Sequence, residues 1–113
     1  MMIAVGEHVL GELDERMIRM ATGLGGGVGM DYQDLCGAFL SGVLIIGACH
    51  GRTTPEVDDG PCQEKVRAFR QRFEAEMGSL ICGELREEKY GSGGEEPCSV
   101  LVERAAAILL EIV

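Results

Sequence analysis

The 113-residue chain is long enough for one apolar core and too short for two independent ones. Nineteen acidic against ten basic residues give a net charge of −9, which repels a phosphate backbone and an anionic membrane surface alike, so no nucleic acid and no membrane partner is expected. Aromatic residues make up only 4% of a chain that is 46% hydrophobic. The core must therefore come from aliphatic residues, Met and Ala, a mixture that suits packed helices.

Val5, Val9, Leu13, Met17 and Met20 recur at spacings of four and three, which predicts a first helix over about 3–22 with its methionines as core fillers. The segment around Glu7 and His8 lacks the basic start and unbroken apolar stretch of an export signal, so a cytoplasmic location is expected. Glycines at 23, 25, 26, 27 and 29 end the helix and permit positive φ. The loop follows a helix and has neither a G-x-G-x-x-G nor a G-K-[ST] pattern. It reads as a tight connection between helices rather than a phosphate cradle.

Asp31 or Asp34 can cap a second helix running to about His50. Residues 35–49 are apolar nearly all round but fall short of the roughly 20 residues that span a bilayer, so a buried central helix is expected over about 35–50. Pro55 and its polar neighbours mark a loop, and Pro61 suits the start of a third helix. Val66, Phe69, Phe73 and Met77 form its apolar stripe and Gly78 closes it. Ser79 can cap a short segment over 80–86, residues 87–96 read as a charged loop, and Pro97 opens the last helix. The fold expected is all-α, a single domain over 1–113, a compact bundle of about four helices around the central one.

Five cysteines, Cys36, Cys49, Cys62, Cys82 and Cys98, form an odd set, which disfavours a structural disulfide framework. All but Cys49 fall in or near the first turn of an expected helix, where backbone N–H groups and the helix dipole favour a thiolate. Gly37, Ala38 and Gly83 leave space beside Cys36 and Cys82 for a bulky cofactor or for another helix. The spacings of 13, 13, 20 and 16 residues contain no C-x-x-C pair, so any shared site must be assembled by the fold. Cys49 reads as a small core hydrophobe, His50 as a helix-end residue, and His8 as facing solvent.

The glycine loop Leu24-Gly-Gly-Gly-Val-Gly29, then Cys36-Gly-Ala-Phe-Leu-Ser-Gly42, then Phe73 through Met77-Gly-Ser-Leu-Ile-Cys82, and Cys98 together resemble the C_GCAxxG_C_C family of proteins, regarded as redox-active. The resemblance runs from about Asp14 to the C-terminus. It assigns the last three of the family's four cysteines to Cys36, Cys82 and Cys98. A similar domain is fused to split-Soret cytochrome c, where the cysteines are associated with an iron–sulfur centre. The resemblance thus implies a cysteine-ligated metal, an iron–sulfur cluster first, serving electron transfer or redox sensing with a redox partner protein. The first family cysteine would fall at or just before Met1, so either the reading frame begins upstream, or the site is degenerate, or another residue substitutes. Cys62 is the first candidate substitute and Cys49 the next.

Two other functions compete with this one. Cys36 could be a thiol–disulfide redox group resolved by Cys82 or Cys98. The cysteines could instead be inert in a helical interaction module, with the central helix and Ala105-Ala-Ala-Ile-Leu-Leu110 supporting a homo-oligomer.

Overall fold

The computed structural model describes residues 1–113, the side chain of Ser92 excepted. The chain forms six α-helices: α1 Met2–Leu10, α2 Glu15–Met20, α3 Gly37–His50, α4 Gly60–Met77, α5 Cys82–Glu88 and α6 Cys98–Ile112. No strand occurs among the described residues, only two isolated bridges, Leu35 with Ile81 and Tyr90 with Glu96. The helical class expected from the periodicity is the one observed, and the central helix falls where residues 35–50 placed it.

The first expected helix is two. Gly11 ends α1 with φ of 84°, a conformation costly for any residue with a Cβ. Asp14 restarts the chain by accepting the amide N–H of Arg16 at 2.7 Å, a local side-chain bond that competes with an unbroken helix. The apolar row crosses this break and loses its common face. Val5 is buried, whereas Met20 is 71% exposed and fills no core.

Helix α3 is the axis. Phe39, Ile45 and Ile46 are buried on it, and α1, α4 and α6 all pack against it. Phe39, Phe69 and Phe73 join α3 to α4 with ring centroids 5.5 to 5.9 Å apart. Each such pair contributes about 0.5–1.5 kcal/mol beyond area burial. Gly42 lies directly under the Phe69 ring, so the second glycine of the CGAFLSG segment sets the α3–α4 approach. Gly78 ends α4 in the left-handed region, as the sequence suggests, its amide donating to Glu74 O.

The charged segment over 87–96 holds a core residue that its composition conceals. Tyr90 is 1% exposed. Its hydroxyl accepts from Arg104 Nη1 at 2.8 Å and lies 3.5 Å from Met77 Sδ. Burying the phenol with its polar tip satisfied pins the α5–α6 connection against α4.

Candidate redox site

Cys36 immediately precedes α3, Cys82 is the first residue of α5 and Cys98 the first of α6. All three line one apolar cavity of about 580 Å³ at the end of the molecule where these helices begin. Cys36 and Cys82 are buried and Cys98 is exposed.

Backbone pairing sets Cys36 beside Cys82. The amide of Cys36 donates to Leu80 O at 2.8 Å, that of Cys82 to Asp34 O at 2.9 Å, and that of Gly83 to Tyr32 O at 2.6 Å. Residues 32–36 therefore run antiparallel along 80–83, and the first amides of α5 are spent on this clamp. Ser79 Oγ accepts from Ile81 N rather than capping a helix at residue 80, so α5 begins at Cys82. No Asp capping bond to α3 is formed either: Asp34 Oδ1 accepts from Leu35 N.

The glycines beside the cysteines serve the same clamp. A Cβ on Gly37 would stand 2.6 Å from Leu24 O, and one on Gly83 would stand 2.6 Å from Tyr32 O. The room left beside Gly37 and Gly83 is thus taken by loop backbone, whereas Ala38 faces the cavity. The loop is more than a connection. Gly26, Gly27, Val28, Gly29 and Met30 all have φ between 61° and 74°, a short run of left-handed backbone. It is closed by amide bonds from Gly29 to Gly23 O and from Met30 to Gly25 O. Only a glycine-rich sequence makes such a run affordable, since each residue with a Cβ costs about 1–2 kcal/mol there. Gly27 then passes so close to α5 that a Cβ on it would meet Cys82 Cβ at 2.7 Å. Cys98 is accommodated in a similar way, with Gly91 leaving room for its sulfur.

Burial overrides the helix starts electrostatically. Desolvation raises the Cys36 thiol above its ordinary range; the amides of Phe39 and Ala38 pull it down, and nearby Cys82 and Cys98 push it up again. Cys82 is raised by desolvation too, with Arg86 opposing and Cys98 adding. The position expected to favour a thiolate therefore favours the neutral thiol.

Cys62 and Cys49 do not join them. Cys49 lies 13 residues beyond Cys36 on α3, about 20 Å along the axis. Cys62 sits in the first turn of α4, where Lys65 Nζ reaches Ile112 O at 2.8 Å at the far end of α6. Neither lines the cavity, so the structure does not bring Cys62 together with Cys36, Cys82 and Cys98. His50 is at the same far end, its Nε2 buried without a partner among the described residues, and His8 is exposed.

The cavity wall also contains residues that the sequence left unassigned. Met1 enters from just before α1, Met2 from its first residue, Met30 from the glycine loop and Arg86 from α5. Arg86 lies over the Tyr32 ring, 4.4 Å from its centroid. Among the described residues no group of three or more His, Cys, Asp or Glu is arranged to hold a metal ion as the side chains stand. Nor is any helix among them long and apolar enough to cross a membrane.

No curated protein and no solved structure matches this chain. A family model described as "Putative redox-active protein (C_GCAxxG_C_C)" matches residues 1–112, and so takes in α1 as well as the segment from Asp14 onward. With three cysteines of that pattern facing one cavity and its glycines shaping the wall, the chain belongs to the C_GCAxxG_C_C family.

Proposed function

We propose that the protein is a redox carrier or sensor whose working groups are Cys36, Cys82 and Cys98, and that these thiols hold a metal centre, an iron–sulfur cluster first. The observation that carries this reading is that three cysteines far apart in sequence line one apolar cavity while the other two do not. A bound metal supplies the positive charge that deprotonated, clustered thiols need. Without one, burial keeps Cys36 and Cys82 neutral and poorly nucleophilic. That favours a metal ligand over a low-pKa catalytic thiol. The donor chemistry fits such a centre, since iron–sulfur clusters are held by thiolates. The side chains must draw inward to close on it. When bound, the centre supplies the electron that is taken up or given. The chain's own part is to exclude water with an apolar wall and to hold the three sulfurs on helix starts.

Anaerobic purification or reconstitution with ferrous iron and sulfide, followed by iron and sulfide analysis and visible absorption, tests this. Bound iron and sulfide with charge-transfer absorption, both lost on Cys36→Ser, are expected. Colourless, metal-free protein with intact thiols after reconstitution counts against it.

A second reading rests on the convergence of Cys36, Cys82 and Cys98 on one cavity and the lack of a preformed metal-holding set among the described residues. In it, Cys36 and Cys82 or Cys98 exchange two electrons and two protons with an oxidant as one disulfide. Mass mapping after mild oxidation separates the two: one defined pair within the trio supports thiol exchange, and scattered pairing excludes it. A reducing, cytoplasmic compartment suits both readings.

A further inference from the structure

The cavity at the cysteine end differs in charge from the chain that forms it. The protein carries nineteen acidic residues and a net charge of −9. None of those carboxylates lines the cavity among the described residues, and the one charged side chain that does is Arg86. Apart from the three thiols and the hydroxyls of Thr22 and Ser41, the rest of the wall is aliphatic, methionine or glycine. Arg86 follows Cys82 by one helical turn on α5, and its guanidinium lies 4.4 Å from the centre of the Tyr32 ring. The Tyr32 carbonyl accepts in turn from Gly83, so the clamp that sets Cys82 also sets the aromatic ring under the guanidinium. Its charge is felt inside the cavity, where it opposes the rise of the Cys82 thiol. Helices α3 and α6 begin at the same wall, which adds the positive ends of two helix dipoles.

From this polarity we propose that the cavity binds an organic anion with an apolar body, its anionic group at Arg86 and its body along the aliphatic wall. A volume of about 580 Å³ suits such a ligand, since small-molecule sites span roughly 300–1,000 Å³ and are mostly apolar with a few polar groups. Ile3 and Met30 line the cavity while 53% and 62% exposed, so its opening is apolar as well. The net charge of the chain repels an anion at a distance, but salt screens that field beyond about 8 Å. A carboxylate in contact with a guanidinium at an apolar wall is screened far less. A fatty carboxylate is the simplest compound with both parts. The inference stands on the wall of the cavity and not on the redox role of the thiols.

The probe is decanoate, titrated calorimetrically into the reduced, metal-free full chain at neutral pH, with decanol and decyltrimethylammonium as neutral and cationic counterparts of the same length. Decanoate is expected to bind at one site about tenfold or more tighter than decanol, with the cation weakest. Arg86→Gln is expected to bring decanoate down to the affinity of decanol and to leave decanol itself unchanged, while Arg86→Lys keeps most of the preference. Bound decanoate should also slow alkylation of Cys98, which lines the cavity, and not of Cys62, which does not. Circular dichroism of each variant separates loss of binding from loss of folding; if Arg86→Gln does not fold, the wild-type ranking and Arg86→Lys decide. Equal affinity for decanoate and decanol, or decanoate binding unmoved by a folded Arg86→Gln, overturns the role of Arg86. Binding without protection of Cys98, or no binding of any of the three by the folded wild type, overturns the site. Iron and sulfide uptake is read separately, so failure here leaves the proposed function standing.

Discussion

The two ends of the helical core carry cysteines of different character. At the end where α3, α5 and α6 begin, Cys36, Cys82 and Cys98 share a cavity and are braced by a loop whose backbone reaches within van der Waals range of both helix starts. At the other end, Cys49 and Cys62 are half-buried, and Cys62 packs against the core. Residue type is the same at both ends, so the difference lies in the surroundings. Cys36 and Cys82 are each followed by a glycine over which loop backbone packs, and Gly91 leaves room for the sulfur of Cys98.

The sharpest way to break the contrast is by substitution at the thiols. Cys36→Ser, Cys82→Ser and Cys98→Ser should each abolish metal uptake as read by iron analysis, while Cys49→Ser and Cys62→Ser should retain it. Retention by Cys36→Ser, or loss in Cys62→Ser, would erase the distinction between the ends.

Glycines on α3 and α5 give a smaller effect of opposite sign. Gly83→Ala and Gly37→Ala drive a methyl into a carbonyl oxygen and should cost about 1–3 kcal/mol in chemical denaturation. Gly47→Ala, toward the far end of α3, meets open space among the described residues and should stabilise the protein by about 0.5–1 kcal/mol. A gain at Gly37 or a loss at Gly47 would show that the loop does not brace the cysteine end.

Alkali sharpens the same comparison. Folding raises the Cys36 and Cys82 thiols, so the metal-free native state binds more protons than the unfolded chain once pH passes the ordinary thiol value of 9.0. Their contribution is fully present below that value and is lost as pH rises through their folded-state values. The midpoint of denaturation of the metal-free protein should therefore fall at alkaline pH, and a Cys36→Ala, Cys82→Ala double variant should fall less. An identical alkaline slope in both proteins would remove the thiols as its cause. The smallest effect belongs to Val28, a β-branched residue at φ of 63°. Val28→Gly relieves strain but frees the unfolded chain, so its net gain should lie within about 1 kcal/mol in the same denaturation assay.

Much of this was legible in the residues, and the exceptions have physical reasons. Four of the five cysteines fall at or beside helix starts, as expected, although neither Ser79 nor Asp34 caps one, and α3 and α4 lie where their apolar patterns put them. The chemical meaning of those starts was misjudged, because desolvation is a property of the whole fold and no local motif reports it. Tyr90 was hidden in a charged stretch because its burial depends on Arg104, fourteen residues onward. Cys62 looked equivalent to Cys98, each following a proline. Only the antiparallel course of α4 sends it to the far end. The sulfur cavity was beyond local reading for the same reason, since its wall draws on α1, the glycine loop, α3, α5 and α6.

The run from Gly26 to Met30 has one more consequence, and it concerns handedness. Its backbone lies where an L-residue is penalised and a mirror-image residue is at ease, since inverting the Cα centre inverts the sterically favoured sign of φ. At Gly29, φ is 74°, and even the side on which an L-residue carries its Cβ meets nothing within 4 Å among the described residues. A D-alanine placed there by chemical ligation keeps the loop's shape and removes the conformational freedom that glycine brings to the unfolded chain. The segment that braces the cysteines is therefore a place where the protein can be stiffened only by chemistry outside the genetic alphabet.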